Sequence, residues 1–239
     1  KISTSLIRYP AQITSENIGI EFPLRKGSGS LSIFHITYGT FQGYNEVAEK
    51  TSKYTSQDFS IRGSYSRSVK KLPIRFGLST RIFRSSLKKM NNYFVDFSFG
   101  SIIMLDKSNF KLGFSIHHIG RQIYNDSNVD NLIQSVFSTS KKLNYLPVEV
   151  FIDYSKKEKS KKDDFFIGGI LSANENIKIN FGTSTRKLTQ NLEQSLARTI
   201  MGNTGFGFSY KLNTVVINYG SFVYSNGVLI HSLGVGIPF

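Results

Sequence analysis

The chain of 239 residues carries a net charge of +14, only 39% hydrophobic residues and no cysteine. Its length accommodates one large β domain or two ordinary ones, and the missing cysteine excludes a disulfide framework, a thiolate nucleophile and a Cys-based zinc site. The apolar fraction is below what a conventional packed core uses.

No apolar run approaches the ~20 residues of a membrane-spanning helix; the longest, FFIGGIL at 165–171, has the length of a strand. The chain opens on Lys1 rather than Met, which reads as a processed or trimmed piece, so the lack of a leader carries no information.

Along the chain, side-chain character alternates with period two. About fourteen strand-like segments begin near Ile2, Asn17, Ser30, Ser56, Ile74, Asn92, Phe110, Leu132, Leu146, Phe165, Ile177, Thr204, Thr214 and Val228. The fourth sets Phe59, Ile61 and Tyr65 against Ser60, Arg62, Ser64 and Ser66. The fifth sets Ile74, Phe76, Leu78 and Ile82 against Arg75, Gly77, Ser79 and Arg81. The seventh opposes Leu112, Phe114 and Ile116 to Lys111, Gly113, Ser115 and His117, and the eleventh opposes Ile177, Ile179 and Phe181 to Lys178, Asn180, Gly182 and Arg186. The eighth, LIQSVFSTSKK, alternates least clearly. In the last, Leu229, Leu233, Val235, Ile237 and Phe239 form one apolar stripe opposite Ser232, Gly234 and Gly236, after a turn at Ser225-Asn226-Gly227.

Most segments are about 10 residues long, as for a tilted strand crossing a bilayer. Connections sort by parity: the even ones are short, at 25–29, 69–73, 106–109, 143–145, 174–176 and Asn213, whereas several odd ones are longer, at 42–55, 125–130, 156–164 and 187–203. Outer-membrane barrels have short periplasmic turns and longer outside loops. The sequence therefore predicts an all-β fold, a transmembrane antiparallel up-and-down barrel of about 14 strands forming a single domain over 1–239. The competing soluble fold, a lipocalin-like barrel or sandwich, suffers because the bare face of each strand is too polar for a core.

Candidate chemistry is sparse. His117 and His118 are adjacent in a strand, so period two sends them to opposite faces, and His35 and His231 show no partner. No catalytic, cofactor-binding or metal residue is assigned: serine is merely abundant and no G-x-S-x-G elbow occurs. GNTGFGF at 202–208 lacks the strand, helix and lysine of a phosphate loop. The run KKEKSKKDD at 156–164 lies in one loop with acids interspersed, which reads as a solvated hairpin and not a nucleic-acid site; its lysines could touch anionic lipopolysaccharide. Arg62, Arg75, Arg81, Lys111, Lys178 and Arg186 are expected to line the lumen, pairing there with acids such as Glu149 and Asp153. In 187–200, Leu188, Leu192, Leu196 and Ile200 recur every four residues, the stripe of a short helix that packs across the barrel mouth or docks a partner.

Several phrases share a pattern in order and spacing. SIFHITYGTFQGYNE at 32–46, then YTSQDFSIRGSYSR at 54–67, resembles the PorV/PorQ family of outer-membrane proteins, with Tyr38, Gly39, Phe41, Asn45, Glu46, Asp58, Tyr65, Ser66 and Arg67 at the family positions. FSIHHIGRQIYN, STSKKLNYLPVEV and the closing TGFGFSYKLNTVVINYG…IPF are similar to its later strands. The loop after YGTF and the SKKL hairpin lean towards PorQ. The N-terminal phrases of the family, which would plug the lumen, have no counterpart in this sequence.

The resemblance implies a FadL-like barrel acting in type IX protein secretion. Its outer loops would dock secretion or attachment proteins, with Tyr44, Asn45, Glu46, Tyr54, Leu192 and Leu196 as candidate contacts and outer-membrane lipid and lipopolysaccharide as surroundings. The alternative is a FadL-like or porin-like channel for hydrophobic or anionic small solutes.

Overall fold

The computed structural model describes residues 1–88, 90–124, 132–160, 162–186, 202–224 and 228–238. The strands are β1 (Ile2–Arg8), β2 (Thr14–Leu24), β3 (Gly27–Phe41), β4 (Tyr54–Ser68), β5 (Ile74–Leu87), β6 (Met90–Leu105), β7 (Phe110–Tyr124), β8 (Gln134–Lys142), β9 (Val148–Lys157), β10 (Asp164–Ser172), β11 (Ile177–Ser184), β12 (Thr204–Leu212), β13 (Val215–Val223) and β14 (Leu229–Ile237). They run in chain order around one closed antiparallel barrel. β1 completes the ring against β14, from Ile2↔Ile237 to Arg8↔His231. Closure pairs the backbone groups of what would otherwise be two open edges, which is what hydrocarbon demands of a spanning sheet.

Strand starts fall within three residues of those read from the alternation, and the weak eighth segment is a full strand. Strand length departs from expectation. β3 to β7 have 14–16 residues, so the wall is taller on that side than around β8 to β14. The short turns at 25–26, 69–73, 106–109, 143–147, 173–176 and 213–214 share one end with both termini, and the loop at 42–53 lies at the other, as do the end of β11 and the start of β12. Parity is imperfect, since the odd β5–β6 connection spans only 88–89.

The apolar residues face outward. Among the described residues Phe94 is the only buried hydrophobic one, whereas Leu78, Phe137 and Leu233 are 60%, 52% and 51% exposed in the middle of their strands. A soluble sandwich would bury this face in a core; here it forms a belt around the outside, the arrangement of a barrel solvated by lipid. Aromatic residues mark its edges: Tyr93 meets Tyr124 edge-on at 6.0 Å towards the loop end, and Tyr65 donates from its hydroxyl to the Lys26 carbonyl at 3.1 Å at the turn end. On β14 the outward row runs through Leu229, Leu233, Val235 and Ile237, while Ser232, Gly234 and Gly236 face inward opposite Gly220, Asn218 and Val216.

The expectation that His117 and His118 point to opposite faces is wrong. Phe99 pairs with Ile116 and Phe97 with Ile119, so Ser98 alone stands opposite both histidines. His118 takes φ 63°, and the resulting β-bulge turns the two side chains to the same, inner face. Their ring centroids are 6.2 Å apart. The lumen is also less polar than the alternation suggested. Phe83, Phe94, Phe151, Phe166, Phe222 and Ile230 occupy inward register positions, because the lumen, unlike lipid, tolerates both kinds of side chain.

Candidate functional site

The densest cluster of charge lies on the inner wall of β4 to β7. Arg62 of β4 and Arg81 of β5 are direct cross-strand partners, and Asp96 of β6 is the next residue in that row. Asp96 is 2% exposed, and its Oδ2 accepts from Arg81 Nε at 2.9 Å and Arg81 Nη2 at 2.5 Å. His118 completes the group, with Nδ1 2.8 Å from Arg81 Nη2 and 3.6 Å from Asp96 Oδ2. Its neighbour His117 shares a hydrogen bond with Ser115 Oγ at 2.9 Å.

Asp96 thus neutralises Arg81 but leaves Arg62 as a like charge directly beside it, an unfavourable cross-strand neighbour unless something else compensates. Arg62 is exposed to the lumen and has no hydrogen-bonded or ion-paired partner among the described residues. Close backbone approach holds the bulge in place: a Cβ on Gly120 would sit 2.1 Å from the Val95 carbonyl oxygen.

The other lumen candidates are dispersed. Lys111 Nζ donates to Glu149 at 2.8 Å, and Ser140 donates to the same carboxylate oxygen at 2.9 Å. Arg186, just beyond β11, binds Asp164 at 2.6 Å and lies over the Phe166 ring at 5.3 Å; the hydrogen bond to Asp164 raises its pKa above the ordinary arginine value. Arg75 donates to Ser68 Oγ at 3.3 Å near the turn end. Lys178 faces inward in register with Ser172 and Ser209, without an ion pair among the described residues. The opposite wall differs in kind: Ile7, Phe151, Phe222 and Ile230 surround a recess floored by Gly182, Gly205, Gly207 and Gly220.

The sequence reading did not single out Asp96 and sent the two histidines to opposite faces. A signal was nevertheless present, because the apolar spacing of β7 slips from two to three between Ile116 and Ile119, which is how a bulge looks in sequence.

The loop-end candidates form a second constellation. Gly39, at φ 94°, breaks the β3 register, and the Tyr38 hydroxyl donates to Asp58 Oδ2 across the hairpin at 2.8 Å. Phe41 stacks on Tyr54 at 5.5 Å, with Lys88 Nζ 5.8 Å from the Tyr54 ring. Beyond them Asn45 organises the loop: its Oδ1 accepts from the Val47 and Glu49 amides at 3.1 and 2.8 Å, and its Nδ2 donates to Glu49 Oε2 at 2.9 Å. Tyr44 bridges to Lys50, and Gln42 donates to the Thr51 carbonyl at 2.6 Å. The result is an ordered hairpin on which Tyr44 and Val47 are 57% and 74% exposed, with Glu46 exposed between them. Leu192 and Leu196, with the helical stripe they belong to, lie outside the described residues.

No protein-family model matches this chain, and no curated protein matches its sequence. Among the solved structures that share its fold are two that match it over nearly its whole length. The outer membrane protein Omp33 of Acinetobacter baumannii is 9% identical, with 100% of this chain and 96% of that chain covered and a TM-score of 0.56. The Ralstonia pickettii toluene transporter TbuX is also 9% identical, with 98% and 86% covered and a TM-score of 0.58. At such identity the likeness is one of fold. Together with the outward apolar belt it makes the chain a barrel of the bacterial outer membrane.

Proposed function

We propose that this barrel is a docking component of type IX protein secretion, holding a protein of the secretion or attachment machinery through its outer loops. The observation that supports this reading is the hairpin over 42–53. Its foot gathers Tyr38, Gly39, Phe41 and Asp58, which also carry the resemblance to the PorV/PorQ family, and its tip exposes Tyr44 and Val47. Asn45 fixes the tip before any partner arrives, so little ordering entropy is lost on binding, and exposed aromatic residues are the usual anchors of protein interfaces. Outer-membrane lipid and lipopolysaccharide surround the barrel in this reading, which needs no nucleic acid. Affinity capture from detergent-solubilised outer membranes tests it. Replacing 42–53 by a four-residue turn, which spares β3 and β4, is expected to lose the co-purifying surface protein; full retention would refute docking through this loop.

A second reading, a channel for small anionic solutes, draws on inward cations that have no acidic partner among the described residues, Arg62, Lys178 and Lys211 among them. A lumen lined by such charges favours anions. In planar bilayers under a salt gradient the reversal potential is expected to indicate anion preference, and Lys178→Gln with Lys211→Gln to reduce it. A cation-preferring or non-conducting barrel removes this reading.

A further inference from the structure

We propose that the lumen contains an oxyanion-binding site, with the Arg62 guanidinium as its principal donor and Ser64, two residues on along the same inner face, beside it. Arg62 and Arg81 are held side by side, yet the cluster supplies one carboxylate, Asp96, and that is buried against Arg81. One guanidinium therefore faces lumen water with its donors unused among the described residues, although an adjacent like charge disfavours that arrangement in an empty barrel.

The wall next to it is suited to an anion. His117 contributes to a recess with the hydroxyls of Ser64, Ser79, Ser98 and Ser115, and Ser64 is two residues from Arg62 on the same inner face. Arginine binds phosphate and carboxylate oxygens through a planar fork, and hydroxyls satisfy the remaining lone pairs. Glu21 of β2 lines the same recess, two strands from Ser64 in register, so the anion's place is on the β4–β5 stretch of the wall, by Arg62, Ser64 and Ser79, and away from that carboxylate. The bulge gives this arrangement a rationale. In an unbroken strand only one of the two histidines would face inward; with the bulge His118 supports Arg81 and Asp96 while His117 stays at the recess. Bulges recur where a wall must re-aim a side chain at a site.

The site deepens the channel reading, but it rests on wall geometry and not on conductance. Calorimetric titration of the detergent-purified barrel at low salt tests it with inorganic phosphate in one arm and acetate in the other. Saturable binding of one or both is expected; phosphate alone identifies a phosphoryl site, and both together a general oxyanion site. Arg62→Ala is expected to weaken binding by about tenfold or more, with Arg62→Lys retaining part of it. Arg75→Ala removes an equal charge elsewhere in the lumen and is expected to leave binding unchanged. Heat-modifiable gel mobility shows that each variant is folded. Absence of saturable binding in the wild type, equal binding by Arg62→Ala, or an equal loss in Arg75→Ala would each overturn the site, whatever the outcome of capture or conductance experiments.

Discussion

Arg81→Met is expected to destabilise the barrel by about 3 kcal/mol or more, measured as a shift of the urea unfolding transition in phospholipid vesicles. The cost arises because Asp96, at 2% exposure, loses both guanidinium hydrogen bonds and is left with His118 at 3.6 Å. Removing one partner of a buried pair strands the other, whereas replacing both with apolar groups of similar volume is often nearly neutral. The double variant Arg81→Met with Asp96→Leu is therefore expected to recover most of the loss. Arg62→Met, one strand away, separates this explanation from a general effect of lumen charge. Arg62 is water-exposed and adjacent to a like charge, so its removal is expected to change stability by less than about 0.5 kcal/mol.

The second large effect lies on the other side of the wall. Leu233 sits at the centre of β14, 51% exposed, between Leu6 of β1 and Tyr219 of β13. Leu233→Arg places a guanidinium in hydrocarbon, at about 2–4 kcal/mol near the bilayer midplane. Asn218, in register with Gly234 and Ser209, points the other way. Asn218→Lys is expected to be almost silent in the same unfolding assay, since the new ammonium remains in lumen water. Similar costs for the two substitutions would mean that the two faces of the wall are not solvated differently.

Much of this architecture was readable because a transmembrane strand is constrained at nearly every second residue. Ile177, Ile179 and Phe181 must satisfy lipid while Lys178, Asn180 and Gly182 must not, so alternation and strand starts are written locally. The ring closure of β1 on β14 follows from the same constraint, since an open edge is intolerable in hydrocarbon. What the sequence concealed depends on the third dimension. The His117–His118 bulge is set by a positive φ at a non-glycine residue, and its trace is a single slipped interval between Ile116 and Ile119. Asp96 looks like any inward polar residue until Arg81 and His118 are seen converging on it from neighbouring strands. The inward phenylalanines were missed because the lumen imposes no rule of its own: Phe151 packs where Gly168 leaves room, a relation between strands and not within one. At the outer loop, Tyr38 and Asp58 were recognised separately as parts of a pattern, and the structure shows that they hydrogen-bond to each other.

The most direct test of the docking account is affinity capture run in parallel on two altered barrels. One carries Tyr44→Ala and Val47→Asp at the loop tip; the other carries Arg62→Ala and Lys178→Gln in the lumen. Loss of the surface secretion partner from the first, with full retention by the second, is the expected result. Retention by the loop variant, or loss from the lumen variant alone, would contradict a working surface made of the outer loop.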